Sequence, residues 1–305
     1  MEDTANQSAR PDAPATPWIQ FLDRELSQST PENVENGLCQ IFRHLFTSPN
    51  ASAATEAAQQ VDGYYRDVYL PSDPFLKFLD DKGTAGFLNT LYELVFDLAR
   101  VVPYDHELQQ LLVQFLIELV KLPTREVKIW DRKCLVYANE PIFGSVMEDN
   151  WNGSYPSNMF SSDDPAIAES YNEWVNFSAF LARCIQSGRN DCFENWSKYP
   201  KVEIHKGLEE THDEGPRRDC LQLVAVEYLL LTGEKLHGNM IGKHPDGSEK
   251  REQGLRSWQL WFGKLEEIEN GPKADSDLGQ AAKRAREVMV SLEPGIRPQL
   301  QDLSH

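Results

Sequence analysis

The sequence predicts an all-α fold, arranged as a compact array of about ten helices with a long irregular central loop. Apolar residues recur at the i, i+3, i+4 and i+7 spacing of an amphipathic helix along most of the chain. The alternating apolar–polar pattern of a half-buried strand is nearly absent. No segment repeats at a fixed period, which argues against a helical repeat solenoid.

One helical domain is expected because 40% of the 305 residues are hydrophobic, enough to bury a sizeable core. We place this domain at residues 17–292. Residues 1–16 are polar with almost nothing to bury, which predicts a disordered lead-in without the apolar segment of a signal peptide. Residues 293–305 hold two prolines and predict a polar C-terminal tail.

Three helices are predicted before residue 70. Thr16 and Pro17 form the N-cap and first-turn proline pair that opens a helix, and the next two helices begin near residues 33 and 51. Each helix carries apolar residues on one face: Trp18, Ile19, Leu22 and Leu26; Val34, Leu38, Ile41 and Leu45; Val61, Tyr64, Tyr65 and Val68.

Residues 84–122 show the clearest helical periodicity in the chain. Two amphipathic helices are predicted there, joined at residues 102–105, and a connection this short predicts an antiparallel helical hairpin. We expect Asp105 to cap the second helix and Pro123 to end it.

The central region is less regular than its flanks. Residues 128–130 and 135–137 fit either short strands or helical turns. Residues 139–164 contain two prolines and two glycines and predict a long ordered loop. Its Trp151 and Tyr155 are expected to pack over the helices, because they carry too much apolar surface for a free linker.

Helices resume in the second half of the chain. The apolar spacing predicts a long helix that ends near Gly188 and an apolar helix over residues 217–232. Between them, residues 191–211 predict a shorter and more polar helical region that is broken near Pro200. We expect Gly233 to be the C-cap residue of the apolar helix.

The last part of the chain is predicted to hold a mobile loop and two more helices. Residues 237–253 are polar and contain glycines, which indicates the loop. The two helices that follow carry apolar stripes at helical spacing: Leu255, Trp258, Phe262 and Leu265; Leu278, Ala281, Ala282, Ala285, Val288 and Met289.

The charge of the chain narrows the classes of partner. A formal net charge of −18 repels phosphate backbones and anionic lipids, so we expect no nucleic acid and no membrane partner. Two short basic segments, residues 243–251 and 283–286, fit solvated surface. The five cysteines are scattered without a C-x-x-C pair, which fits reduced thiols in the cytoplasm or nucleus.

Short signatures of several enzyme classes are missing from the sequence. Neither glycine-rich phosphate loop occurs, and neither the G-x-S-x-G turn of hydrolases nor the H-E-x-x-H zinc motif occurs. The aspartate pairs at residues 80–81 and 163–164 lack the further carboxylate spacing expected of isoprenoid synthases. We therefore expect no cofactor, while enzymatic activity stays open.

One segment carries a spacing that suits a metal ion. His205, Glu209 and His212 fall at i, i+4 and i+7 of one helix face, and together these side chains could bind Zn²⁺. The segment is polar throughout, so a solvated helix end explains the same pattern.

The seven tryptophans suggest an aromatic ligand pocket. We select Trp174, Asn176, Trp196, Glu209 and Trp258 as candidate ligand-binding residues, because aromatic rings around a few polar groups can line a small-molecule site. The alternative is that the tryptophans belong to the core and their indole N–H groups are bonded internally.

Several segments resemble a fungal family of uncharacterised, all-helical intracellular proteins. Residues 174–183, WVNFSAFLAR, resemble the aromatic–Asn–aromatic core of that family, and residues 223–236 are similar to its apolar helix. Trp130 and Trp151 are similar to its upstream tryptophan landmarks. The similarity covers about residues 80–265, most of the predicted domain.

Residues 207–210, Gly-Leu-Glu-Glu, are similar to the family's Ala-Leu-Glu, from which Gly207 departs. The resemblance implies a helical intracellular domain, often encoded near genes of secondary metabolism or regulation. It implies no established activity and no catalytic residues.

These observations favour a non-enzymatic interaction or regulatory domain that self-associates or binds a protein partner. The main reason is that no catalytic group stands out against a structural explanation. The alternative is a cofactor-independent enzyme or a small-molecule binder of fungal secondary metabolism with an aromatic-lined pocket. The two hypotheses differ in whether the candidate side chains meet at one enclosed cavity.

Overall fold

The computed structural model of this protein describes residues 16–69, 82–153, 165–188 and 197–296. Over these ranges the chain forms eleven α-helices, two short π-helices and one two-stranded hairpin, which confirms the predicted all-α class. Most of residues 1–16 and 293–305 lie outside the described ranges, so the division into lead-in, domain and tail stays a prediction.

The described elements follow one another along the chain in this order. Up to the hairpin they are α1 Pro17–Gln28, α2 Val34–Thr47, α3 Ala53–Tyr69, α4 Lys82–Val101, α5 Glu107–Lys121, β1 Glu126–Ile129 and β2 Arg132–Leu135. After it come α6 Ile142–Gly153, α7 Pro165–Ser187, α8 Lys198–Ile204, π1 His205–Glu209, α9 Pro216–His237, π2 Gly238–Gly242, α10 Glu249–Glu269 and α11 Asp277–Leu292. None of the described helices is long and apolar enough to cross a membrane.

The first five helices form one half of the core. Helices α1, α2 and α3 pack against α4, and α3 also packs against α5. Helices α4 and α5 confirm the two helices predicted over residues 84–122. The cap of α5 is not Asp105 but His106, whose Nδ1 accepts a hydrogen bond from the Leu108 N–H at 3.2 Å. The imidazole can replace a carboxylate there because an N-cap requires only an acceptor.

Helix α9 is the centre of the other half. It contacts α7, α8, α11 and both π-helices, and its buried residues lie on every side. The helix continues past Gly233 to His237, so Gly233 is not its C-cap. A side chain at Gly233 would reach Val288 of α11 at 3.5 Å, which indicates that this glycine packs against a neighbouring helix.

The predicted loop over residues 139–164 is partly wrong, because residues 142–153 form α6. The buried carboxylate of Glu140 opens this helix, since Oε2 accepts from the N–H groups of Ile142 at 2.6 Å and Phe143 at 3.1 Å. The Oε1 atom accepts from the Tyr92 hydroxyl at 2.8 Å. A carboxylate that binds the free N–H groups of the first turn stabilises a helix despite nearby prolines and glycines.

The two aromatic residues of the predicted loop, Trp151 and Tyr155, are expected from the sequence to pack over the helices. Trp151 is buried at the end of α6 and meets the Tyr199 ring edge-on, with 5.1 Å between ring centres, so the expected packing is confirmed there. Residues 154–164, which include Tyr155, lie outside the described residues.

Of two other irregularities predicted in the second half, the break near Pro200 is absent, and the loop over 237–253 is reduced to residues 243–248 between π2 and α10. Pro200 lies in the first turn of α8 and does not break it, because an N–H at that position has no partner inside a helix. Part of the predicted loop 237–253 forms π2, and Gly254 of α10 lies so close that a Cβ atom there would be 2.4 Å from the Met240 carbonyl oxygen. This glycine allows α10 to approach π2.

Candidate functional site

Two of the candidate tryptophans belong to the core. Trp174 of α7 is 1% exposed and lies beside Phe177, and Trp258 of α10 is 0% exposed and lies between His237 and Trp261. Trp196 lies outside the described residues. The positions of Trp174 and Trp258 therefore give no support to the predicted aromatic pocket.

Asn176 is tied to the backbone of another helix pair. Its side chain accepts a hydrogen bond from the Tyr104 N–H at 2.8 Å and donates one to the Arg100 carbonyl oxygen at 2.6 Å. Both contacts are at the connection between α4 and α5, so this amide fixes α7 against the end of α4. Its hydrogen-bonding groups are directed to the backbone rather than to a cavity.

Glu209 lies at the end of π1 and joins two side chains. Its Oε1 accepts from the indole N–H of Trp261 at 2.7 Å, and its Oε2 lies 3.1 Å from Nδ1 of His205. Trp261 is the neighbour of Trp258 on α10, so Glu209 connects π1 to that helix. Among the candidate ligand-binding residues, Glu209 borders a groove.

The histidines do not complete a metal site with Glu209. The Nε2 atom of His212 lies 2.6 Å from the carbonyl oxygen of Lys206, a contact in which the ring must donate its proton. The contact leaves Nδ1 as the only nitrogen of the His212 ring with a free lone pair. Among the described residues, no group of three or more His, Cys, Asp or Glu side chains is arranged to hold a metal ion.

A groove of about 710 Å³ lies where π1, the start of α9, the end of α10 and the start of α11 meet. We call it the π1 groove. Leucine, isoleucine and proline side chains give it an apolar part: Leu208, Ile268, Pro272 and Leu278. Charged and polar side chains from π1, α9, α10 and the π1–α9 and α10–α11 connections surround this part: Glu209, Glu210, His212, Glu214, Arg218, Lys264, Glu267 and Lys273.

The positive charges of the π1 groove are neutralised within the chain. Arg218 lies 3.4 Å from Glu214, and Lys264 lies 2.8 Å from Glu267. Lys273 pairs with Asp219, which is outside the groove.

Glu209 and Glu210 form an acidic wall at the π1 side of the groove, and no lysine or arginine among the described residues neutralises it. Glu209 contacts the Trp261 indole N–H and His205, and Glu210 lies 3.7 Å from His205 and 3.9 Å from His212. Neither carboxylate pairs with a lysine or arginine in the part of the chain that the structure describes. The side of the groove formed by π1 is therefore its negative side.

Gly207 explains how π1 forms this wall. A Cβ atom at that position would lie 2.3 Å from the carbonyl oxygen of Leu221 and 2.6 Å from the side chain of Ala225, both on α9. Only a residue without a side chain lets π1 lie this close to α9. The glycine at position 207 therefore has a structural reason in this chain.

A second exposed feature is the hairpin of β1 and β2. The strands pair antiparallel, with Ile129 opposite Arg132, and only Trp130 and Asp131 form the turn. Both turn residues have positive φ, 49° and 61°, the pattern of a type I′ turn that usually takes asparagine and glycine. Trp130 is 54% exposed, the most exposed large hydrophobic side chain among the described residues.

The hairpin carries positive charge in an acidic chain. Lys128 pairs with Asp131 at 2.7 Å, and Lys133 pairs with Glu126 at 3.0 Å. Arg132 has no acidic partner among the residues that the structure describes. The face around Trp130 therefore has one uncompensated cation beside a large apolar ring.

Sequence reasoning treats Trp130 as a landmark of similar proteins and assigns it no role. A hairpin is indicated there by apolar residues that alternate with charged ones. The buried apolar residues are Val127, Ile129 and Cys134. The turn itself has no glycine or asparagine, so its position and the exposure of Trp130 have no local signal.

Comparisons with known proteins give one match. No curated protein and no solved structure matches the chain. The model of one family, described as protein of unknown function (DUF3632), matches residues 92–282. That range runs from the middle of α4 into α11 and includes the hairpin, π1 and every residue that lines the groove. The chain belongs to the DUF3632 family.

Proposed function

We propose that this protein is a non-enzymatic interaction domain that self-associates through the β1–β2 hairpin, with Trp130 as the anchoring residue. The exposed indole on a left-handed turn is the observation that carries the proposal. A bulky residue with positive φ costs about 1–3 kcal/mol and persists where the fold or a function requires it. Tryptophan and arginine are the residues most enriched at the energetic centres of interfaces, and Arg132 follows this turn.

Charge supports a second copy as the partner. The chain carries a net charge of −18, so most of its surface attracts a cationic hairpin of another copy. Two hairpins facing each other would place Arg132 opposite a second Arg132, which opposes a symmetric hairpin-to-hairpin contact. The favoured arrangement joins the hairpin of one copy to an acidic region of the next.

The cytoplasm or nucleus is the compartment we propose for this activity. Cys39, Cys134, Cys184 and Cys220 are free thiols, and all four are buried. Free thiols and the absence of disulfides among the described residues fit a reducing compartment. The fungal origin implied by the resemblance is part of the same proposal.

Sedimentation velocity over a range of concentrations tests the proposal. The unchanged chain is expected to form dimers or larger assemblies, and Trp130→Ala is expected to weaken association at least tenfold, as loss of an interface anchor does. Leu260→Ala is the matched control, because Leu260 is also exposed but lies on α10, away from the hairpin. An unchanged chain that stays monomeric at every concentration would refute self-association.

A further inference from the structure

We infer that the β1–β2 hairpin of one copy docks in the π1 groove of a second copy. The inference rests on the proposed self-association and names the surface that receives the hairpin. It makes the contact heterologous, since the two surfaces that meet are different parts of the chain.

The apolar part of the groove suits the exposed indole. Leu208, Ile268, Pro272 and Leu278 come together from π1, α10 and α11 at the groove, which has a volume of about 710 Å³. A tryptophan side chain that enters such a site removes a large apolar surface from water, which favours association. In the isolated chain, Trp130 remains about half exposed at 54%.

The charges around the groove suit the residues beside the indole. Glu209 and Glu210 form the negative wall, and the cations of the groove are already paired within the chain. Arg132, which has no acidic partner among the described residues, supplies the charge that this wall lacks. An arginine brought to Glu210 could bind its carboxylate through two parallel hydrogen bonds.

The two surfaces are separate within one chain. The residues that line the groove all lie between 207 and 278, and the hairpin spans residues 126–135. Each copy can therefore give its hairpin to one neighbour and receive a hairpin from another. Such a head-to-tail contact forms rings when the rotation closes and filaments when it does not.

Mixing two defective variants tests the inference. Trp130→Ala removes the anchor but leaves the groove intact, and Glu210→Lys combined with Glu214→Lys reverses two exposed groove charges but leaves the hairpin intact. Each variant alone is expected to associate at least tenfold more weakly than the unchanged chain. An equimolar mixture is expected to form a one-to-one heterodimer and nothing larger, which native mass spectrometry identifies by mass.

A matched control and a milder variant separate the effect of the groove charges from unspecific charge effects and from unfolding. Glu249→Lys with Glu252→Lys makes the same charge change at the first turn of α10, at the far end of that helix from the groove, and should leave association unchanged. Circular dichroism reports whether the variants stay folded. If the groove variant unfolds, Glu210→Gln with Glu214→Gln carries the test, with a smaller loss of association expected.

Different failures have different meanings. If the groove variant associates like the unchanged chain while Trp130→Ala does not, the hairpin still mediates self-association and the groove assignment is wrong. If both variants associate more weakly but their mixture stays monomeric, the hairpin does not bind the groove, and the inference is wrong. A monomeric unchanged chain would overturn both the inference and the proposed function.

Discussion

The buried carboxyl group of Glu203 should make the stability of this protein depend on pH. Glu203 lies on α8 and is 1% exposed, with Oε1 3.3 Å from the ammonium group of Lys206. Its Oε2 atom has no hydrogen-bond partner of good geometry among the described residues. Burial raises the pKa of Glu203 from its ordinary value of 4.5 to about 7, although Lys206 opposes the rise.

The size of the effect follows from the two pKa values. Each pH unit between the folded and unfolded pKa of a group corresponds to about 1.4 kcal/mol. A rise from 4.5 to about 7 therefore amounts to about 3 kcal/mol, a large part of the total stability of an ordinary domain.

The sign of the effect follows from which state loses the proton first. Below pH 4.5 both folded and unfolded chains hold the Glu203 proton, and the pKa difference costs nothing. As the pH rises toward 7, the unfolded chain releases the proton while the folded chain keeps it. The folded state is therefore destabilised across this window, and the loss is complete above pH 7.

Urea unfolding of Glu203→Gln at several pH values measures this loss. A neutral amide cannot titrate, so the unfolding free energy of the unchanged chain should fall by about 2 kcal/mol more than that of the variant between about pH 5.5 and 8. The control is Glu214→Gln, because Glu214 is 86% exposed. Parallel pH profiles for the unchanged chain and Glu203→Gln would show that the carboxyl is already ionised in the folded state.

Three further predictions concern the packing that positions the site, and urea unfolding measures each of them. Gly207→Ala should destabilise the fold by about 1–3 kcal/mol, because the new methyl would overlap the Leu221 carbonyl; Gly263→Ala, in open space on α10, should not. Asn176→Ala should cost about 2 kcal/mol by leaving two backbone groups of the α4–α5 connection unbonded, and association should not change. Burial raises the pKa of the Glu227 carboxyl from 4.5 to about 6. Between pH 4.5 and 8, the unfolding free energy of the unchanged chain should therefore fall by about 2 kcal/mol more than that of Glu227→Gln. Equal unfolding free energies for Gly207→Ala and the unchanged chain would contradict the first prediction. A difference between Glu227→Gln and the unchanged chain that does not vary with pH would contradict the last.

The helical class and most helices are determined by short-range patterns in the sequence. Helices α4 and α5 appear where apolar residues recur over residues 84–122, and α11 appears under its alanine-rich stripe. A helix is recognisable in sequence because the residues of one face come from within a few turns of each other. The same reasoning failed for α6, since its first turn depends on Glu140, which is itself held by Tyr92 of α4.

The same limit applies to the candidate site. The spacing of His205, Glu209 and His212 on one helix face predicts a common ligand, but the chain forms a π-turn at 205–209 and extends beyond it. The ring of His212 is thereby directed to the Lys206 carbonyl rather than to Glu209. A change of helix type alters which side chains share a face. Within this π-turn, Gly207 packs against α9, a contact that the local sequence does not reveal.

The all-helical class, the acidic charge and the positions of most helices can be predicted from local sequence patterns and composition. Whether a tryptophan is buried or exposed depends on neighbours from other segments of the chain, so it follows from tertiary packing. Trp258 is buried beside His237, whereas Trp130 lies in a turn and is 54% exposed. The groove likewise exists only because residues near 210 meet residues near 270. Periodicity reports burial on one face of one helix, and it contains no information about which distant segment covers that face.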